Sequence, residues 1–229
     1  MGHIILLGDS VFDNSKYVQP EPDVRAQLQQ ILPSGWKASL LAVDGAVTKD
    51  VVEQLAKLPD DATHLVLSVG GNDLLGYAED LLRKPVTVSS DAFLLLARVV
   101  GVFEAMYRQV VETCLRVGLP LVVCTIFNGN FADEEFQRMA RVAVAVFNDA
   151  ILRLSREKSL CAIDLRLVCA TPDAYANPIE PSAIGGKKIA QAIWHIISSS
   201  SRASDRDTAE INPGESVCAH EKLVARSMD

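Results

Sequence analysis

The chain has 229 residues, 49% of them apolar and 22% charged, which is typical of a globular protein and excludes disorder throughout. Acidic residues outnumber basic ones by 29 to 22, and the net charge of −7 argues against a broad surface for nucleic acid. The sequence has no apolar run of about 20 residues, the length of a membrane-spanning helix, and its first residues show neither the basic start nor the cleavage site of a secretory signal. We therefore expect a cytoplasmic protein without a membrane span.

Short apolar segments rich in Val, Ile and Leu alternate along the chain with segments of helical periodicity. Strands are predicted at residues 3–7, 38–43, 64–69, 119–126 and 160–164. Helices are predicted at residues 22–32, 48–58, 91–117, 133–157 and 182–198. Such alternation is typical of a parallel sheet that helices cover on both faces.

The composition changes near residue 198. Four consecutive serines, 198–201, precede a segment of mixed charge with few large apolar side chains. Such a segment has little apolar surface to bury. We therefore predict one domain over residues 1–198 and a flexible tail over residues 199–229.

Small and polar residues follow the predicted strands at the point where each strand ends. Gly8-Asp9-Ser10 follows the first strand, Gly45 lies after the second, and Gly70-Gly71-Asn72-Asp73 follows the third. In an open parallel sheet, ligands bind beyond the carboxyl ends of the strands. A serine on a sharp turn at this edge can direct its hydroxyl into the crevice, so the sequence predicts a site for nucleophilic chemistry here.

These blocks, in this order and spacing, resemble the SGNH/GDSL hydrolase family, and the resemblance extends over residues 1 to about 198. It implies a serine-dependent hydrolase of carboxylic esters that acts on a small molecule without a cofactor. Ser10 corresponds to the nucleophile, and the Ser10 N–H, the Gly45 N–H and the Asn72 side-chain amide correspond to the oxyanion donors. Such neutral donors can be preorganised without desolvating a charge. One departure is Thr48, which comes one position later than the family's usual Thr or Ser of the second block.

We accordingly predict a three-layer α/β/α sandwich with five parallel strands in the flavodoxin-like order 2-1-3-4-5. Two roles are open for the apolar residues after the third strand. They line a pocket for an acyl or aryl group, or they pack onto the body of the domain. They are Leu74, Leu75, Tyr77, Leu81 and Leu82. The same alternative holds for the residues after the fourth strand, Phe127, Asn130 and Phe131.

The fourth block departs from the family pattern, which has Asp-x-x-His before the last helix. Here the segment reads Asn177-Pro178-Ile179-Glu180, so that Asn177 falls on the aspartate and Glu180 on the histidine. His3, His64 and His195 are placed by the predicted elements far from Ser10. His220 lies in the predicted tail, and we do not expect it to reach the site.

A carboxylate is a weaker base than an imidazole, since the ordinary pKa of Glu is about 4.3 and that of His about 6.5. Glu180 therefore needs its pKa raised by burial or by nearby acids, for which Asp9, Asp13 and Asp73 are candidates. A carboxylate has no tautomer to fix, so Asn177 is expected to act as a neutral hydrogen-bond donor to Glu180.

Two other functions compete with ester hydrolysis. In the first, the fold has lost its chemistry and the protein only binds a ligand in the crevice. In the second, oxygen ligands hold a hard cation and the protein is a metal-dependent hydrolase. The ligand set for that case would be Asp9, Asp13, Asn72, Asp73 and Glu180.

Overall fold

The computed structural model describes residues 1–83 and 85–207, and a parallel sheet lies at its centre. The strands of the sheet are β1 (Gly2–Gly8), β2 (Trp36–Leu40), β3 (His64–Ser68), β4 (Leu121–Cys124) and β5 (Cys161–Ile163). In this part of the chain the five strands pair in the order β2-β1-β3-β4-β5, every pair parallel. The predicted order 2-1-3-4-5 is confirmed.

Helices cover both faces of the sheet. They are α1 (Ser15–Val18), α2 (Val24–Ile31), α3 (Val51–Leu55), α4 (Gly71–Gly76), α5 (Ala78–Arg83), α6 (Ser89–Arg116), α7 (Glu134–Glu157), α8 (Leu165–Val168) and α9 (Ala183–Asp207). A two-stranded hairpin of β6 (Tyr175–Asn177) and β7 (Glu180–Pro181) precedes α9. No helix among the described residues is both long and apolar enough to span a membrane.

Successive side chains of β1 point to opposite faces of the sheet, and so the core is divided into two layers. Ile4 and Leu6 pack with α2 and α9 on one face of the sheet, whereas Ile5 and Leu7 pack with α3, α6 and α7 on the other. All four side chains are fully buried. Because β1 is covered on both faces, it reads as a continuous apolar run, as expected of a central parallel strand.

Several predicted boundaries differ from those observed. The predicted helix at 48–58 is a 3₁₀ turn, Thr48–Asp50, followed by the short α3. Residues 71–83, which lie between the predicted third strand and the helix predicted at 91–117, contain α4 and α5. The last helix was expected to end at residue 198 but continues to Asp207. The rest of the predicted tail, residues 208–229, lies outside the described residues.

Candidate active site

The turn that carries Ser10 is held by backbone contacts and by one buried amide. Gly8 has φ +124°, and a side chain there would place its Cβ 1.7 Å from the Ser68 carbonyl oxygen of β3. The buried Gln54 side chain accepts from the Gly8 N–H and donates to the Gly8 carbonyl, both at 2.8 Å. Because Gly8 is fixed on both sides, the turn that follows places Ser10 at the carboxyl end of β1, as predicted.

The loop after β2 is tied to the end of β1 and to the start of α4. The Val43 N–H donates to the Gly8 carbonyl at 3.0 Å, and the Asn72 side-chain amide donates to the Ala46 carbonyl at 2.9 Å. Between those two contacts lies Gly45, an exposed residue with φ +82°. The structure thus brings Ser10, Gly45 and Asn72 to the same edge of the sheet.

The backbone N–H groups of Ser10 and Gly45 have no hydrogen-bond acceptor within residues 1–83 and 85–207. The Asn72 amide uses one of its two N–H bonds on Ala46 and leaves the other available. An oxyanion needs such preorganised donors. This part of the site therefore has uncommitted donors from three different strand ends.

Thr48 has a role that the sequence did not indicate. Its N–H and its hydroxyl both donate to Oδ2 of the buried Asp73, each at 2.9 Å. Burial raises the pKa of Asp73, and the Thr48 bonds oppose that rise. The second and third sequence blocks are therefore joined by this pair, which fixes the loop bearing Gly45 against α4.

Glu180 reaches the site from the β6–β7 hairpin. Its side chain is only 4% exposed and lines the same cavity as Ser10, itself 7% exposed. The Ser10 hydroxyl is near enough to the Glu180 carboxylate to stabilise its charged form and so to lower the pKa of Glu180. The Oε2 atom of Glu180 is buried and has no partner among the described residues.

The electrostatic setting of Glu180 favours its neutral form. Burial is the main cause, and together with the charge of Asp44 it raises the pKa of Glu180 to about 7, against the opposing effects of the Ser10 hydroxyl and of Lys16. The predicted raised pKa is present. Asp44, which was not predicted, contributes to it, and of the predicted acids Asp9 is coupled to Glu180 by like-charge repulsion. Lys16 forms an ion pair with Asp44, to which the Tyr17 hydroxyl also donates at 3.1 Å.

Asp9, next to the serine, is the most strongly perturbed acid of the site. Burial raises the pKa of Asp9 to about 8, with smaller contributions from Glu180 and Asp73, although the Val11 N–H donates to Asp9 Oδ1 and lowers it. Asp13, the remaining predicted acid, instead accepts from the Asp44 N–H at 2.9 Å. Asp13 therefore positions the loop after β2.

The expected donation from Asn177 to Glu180 is not found among the described residues. Asn177 and Glu180 are paired across the hairpin, but the Asn177 side-chain oxygen accepts from the Ile179 N–H at 3.0 Å. The bond closes a tight turn of the backbone, a common use of asparagine. Asn177 thus shapes the hairpin that presents Glu180. It does not pair with Oε2 of Glu180.

An apolar cavity of about 120 Å³ opens beside Ser10. Of the side chains predicted to line a pocket or to pack, Leu74, Leu75 and Leu81 line it from α4 and α5, and Phe127 and Phe131 line it from the segment after β4. Tyr77 packs against the core instead, and the Leu82 side chain lies outside the described part. Asn130 donates its N–H to the Pro178 carbonyl at 2.8 Å.

One wall of the cavity was missed by the sequence analysis. It is formed by the first half of α7, from Phe136 to Val144. The apolar periodicity of this helix indicates a buried face but does not distinguish a face on the core from one on a cavity. The Asn148 side chain fixes α7 to the end of β4 through two bonds of 2.7 Å with the Ile126 backbone.

The two histidines on strands β1 and β3 do not supply an imidazole to the site. The His3 ring, at the opposite end of β1, contacts Asp61 at 2.8 Å and Ser39 at 2.7 Å. His64 is next to Thr63, and its ring packs on Trp36. Within residues 1–83 and 85–207, no three or more His, Cys, Asp or Glu side chains are grouped so as to hold a metal ion.

Comparison with known proteins yields one family and many similar structures. The sequence model of the family described as GDSL-like Lipase/Acylhydrolase matches residues 6–185, a range that includes Ser10, Gly45, Asn72 and Glu180. No curated protein matches the sequence. The match covers the whole edge of the sheet described above.

The similar solved structures share the fold at low sequence identity. An extracellular lipase from Streptomyces rimosus is 17% identical with a TM-score of 0.63, covering 84% of this chain and 98% of the lipase. A phospholipase A1 from Streptomyces albidoflavus NA297 is 16% identical with a TM-score of 0.62 and the same coverage of 84% and 98%. The esterase EstA from Pseudoalteromonas sp. is 14% identical with a TM-score of 0.61, covering 88% of this chain and 100% of EstA.

Proposed function

We propose, from the premise that this chain belongs to the GDSL-like lipase/acylhydrolase family, that it hydrolyses a carboxylic ester with Ser10 as nucleophile and Glu180 as general base. The observation that carries the proposal is that Ser10 and the buried Glu180 carboxylate line the same cavity, where the pKa of Glu180 is raised to about 7. A general base works best when its pKa is close to the working pH. Burial therefore gives Glu180 the basicity that an ordinary glutamate lacks.

Acylation follows from these contacts. The Ser10 oxygen attacks the ester carbonyl carbon while the hydroxyl proton passes to Glu180. The negative charge on the former carbonyl oxygen is stabilised by the Ser10 N–H, the Gly45 N–H and the free N–H of the Asn72 amide. The tetrahedral intermediate then expels the alcohol, which takes the proton back from Glu180, and Ser10 carries the acyl group.

Deacylation uses the same groups with water in place of the serine. Water gives a proton to Glu180 and attacks the acyl carbon. The intermediate then expels the Ser10 oxygen, which takes that proton back from Glu180, and a carboxylic acid is released. The unpaired Oε2 of Glu180 is available to orient that water, because no other described residue occupies its hydrogen-bonding capacity. A histidine in this position would need a third group to fix its tautomer, whereas a carboxylate does not.

The test is hydrolysis of short-chain p-nitrophenyl esters by wild type and Ser10→Ala, each with and without EDTA. We expect turnover by the wild type that EDTA leaves unchanged, and a loss on the order of 10³-fold or more in Ser10→Ala, which removes the nucleophile. Turnover that persists in Ser10→Ala would overturn the serine mechanism. Activity that is lost only with EDTA would favour a metal-dependent hydrolase. A wild type that is inactive on these esters would favour a protein that only binds a ligand.

A further inference from the structure

The cavity beside Ser10 is lined by a few polar side chains and otherwise by apolar ones. Ser10, Asn72 and Glu180 are among the polar residues. The apolar lining comes from α4 and α5, from the segment after β4, and from α7. A substrate carbonyl held by Ser10 and its polar neighbours therefore has its acyl carbons beside apolar side chains.

The size of the cavity limits how many carbons fit. The volume is about 120 Å³. A dry cavity of about 150 Å³ admits a benzene ring, with its six carbon atoms, so the present one has room for about five. A chain much longer than this must extend past the exposed rim, where Leu75 and Met139 are 43% and 41% exposed.

Two of the residues that line the cavity from α7 are small. Ala140 and Ala143 line the cavity one helical turn apart, and both are half-buried. Positions three residues apart share a helix face, so larger side chains here would project into the same space. One wall of the cavity thus belongs to a helix that supplies none of the proposed catalytic groups.

We propose that this cavity is an acyl subsite for a linear acyl group of four to six carbon atoms, and that Ala143 on α7 sets the upper limit. The inference rests on the proposed esterase function. Each methylene buried in an apolar pocket contributes about 0.8 kcal/mol, which corresponds to a factor of about four in rate or affinity. The subsite therefore distinguishes a hexanoyl from an acetyl ester mainly through burial.

The first measurement is kcat/KM of the wild type on p-nitrophenyl esters of two, four, six, eight and ten carbons. We expect a rise of about fourfold per methylene up to six carbons and no further rise beyond. The leaving group is constant in this series, so the trend reports the acyl side alone. An acetyl ester that is as good a substrate as the hexanoyl ester would overturn the proposal.

The second measurement uses variants of α7. Ala143→Phe should lower kcat/KM on the hexanoyl ester by on the order of 10²-fold while leaving the acetyl ester within about threefold, because it fills the space of four methylenes. Ala145 on the same helix is exposed and does not line the cavity, so Ala145→Phe is the matched control. Leu81→Ala enlarges the subsite from α5 and should shift the optimum toward eight carbons. It tests the proposal even if Ala143→Phe does not fold.

A binding measurement separates this proposal from the hydrolase mechanism. Hexanamide is uncharged and resists turnover, so calorimetric titration of it into wild type, Ala143→Phe and Ala145→Phe reports the subsite without hydrolysis. We expect binding to wild type and Ala145→Phe and its loss in Ala143→Phe. That pattern in a protein without esterase activity would support the subsite and reject the hydrolase. Ester hydrolysis that is insensitive to chain length and to Ala143→Phe would do the reverse.

Discussion

The two sides of the site are built in different ways. On the oxyanion side, donors come from the ends of β1, β2 and β3, and two of the three proposed donors are backbone N–H groups. On the base side, a single side chain, Glu180, comes from the β6–β7 hairpin outside the main sheet. Parallel pairing fixes the first side whatever its side chains are, whereas the chemistry of the second depends on the identity of one residue.

The same difference is seen in the electrostatics. The proposed oxyanion donors are neutral, and the contacts that hold them are hydrogen bonds of 2.8–3.0 Å between amide, carbonyl and carboxylate groups. The base side titrates, because burial raises the pKa of Glu180 to about 7 and that of neighbouring Asp9 to about 8. We therefore expect substitutions on the oxyanion side to change the rate by the same factor at every pH. Substitutions on the base side should instead change how the rate depends on pH.

The largest effect is expected from Glu180→Gln, which keeps the size of the side chain but removes its ability to accept a proton. We expect kcat to fall by about 10²–10⁴-fold, the range for loss of a general base. Folding should be preserved, since a neutral amide replaces a buried acid. The checks are kcat at pH 8 and the melting temperature.

Asn177→Ala is the matched control from the same hairpin. It removes the side-chain bond to the Ile179 N–H without removing a proton acceptor, so kcat should stay within about tenfold of wild type. Ser10-dependent activity that is unchanged in Glu180→Gln would show that another group takes the proton.

On the oxyanion side, Asn72→Ala should lower kcat by about 10²–10³-fold with little change in KM, because an oxyanion donor acts mainly in the transition state. Loss of its bond to the Ala46 carbonyl should cost about 1 kcal/mol of stability. Steady-state kinetics and thermal melting measure the two effects separately.

Thr48→Val controls for loosening of the same loop. It removes the hydroxyl bond to Asp73 but no proposed oxyanion donor. We expect a change in kcat of less than about tenfold, since the backbone bond to Asp73 remains. Equal losses in Thr48→Val and Asn72→Ala would assign the Asn72 effect to the loop.

The two sides also differ in how far the sequence predicts them. The strand order and the placement of Ser10, Gly45 and Asn72 at one edge follow from apolar periodicity and from polar residues at strand ends. Local patterns suffice because parallel strands bring their carboxyl ends together. The base side was predicted only in part, since the position of Glu180 came from a resemblance and the partner of Asn177 was wrong.

Features that depend on packing were not predicted. The α7 wall is an ordinary apolar helix face in the sequence, and only the tertiary structure shows that Ala140 and Ala143 face a cavity. The same holds for Gln54, a polar residue on a short helix whose amide bonds are made with Gly8, 46 positions away. Such long-range side-chain contacts leave no periodic signal in the sequence.

The raised pKa of Asp9 can be tested through the pH dependence of the free energy of unfolding. The pKa of Asp9 is 3.8 when exposed and about 8 in the folded protein, so the folded state binds the proton more tightly. The stability linked to that proton is complete below pH 3.8 and is lost as pH rises toward about 8, with a slope approaching 1.4 kcal/mol per pH unit.

Asp9→Asn should reduce that slope, since its side-chain oxygen can still accept from the Val11 N–H but cannot ionise. At pH 8 we expect the variant to be more stable than wild type by at least about 1 kcal/mol, or several degrees in melting temperature. Melting curves between pH 5 and 8 measure this. The exposed Asp60→Asn is the control, and an identical pH dependence in wild type and Asp9→Asn would refute the buried-acid interpretation.

The smallest effect should come from the two charges that act on Glu180 from the surface. Lys16 lowers the pKa of Glu180 and Asp44 raises it, so Lys16→Met should move the rising limb of the kcat/KM profile to higher pH and Asp44→Asn to lower pH. The reason is that Glu180 must be deprotonated to act as base. Both side chains are partly exposed, so shifts of only a few tenths of a pH unit are expected, and 1 M salt should shrink them. The decisive feature is that the two substitutions shift the rising limb in opposite directions. Loosening of the loop by either substitution would instead change the plateau rate and leave the pH of the limb where it is.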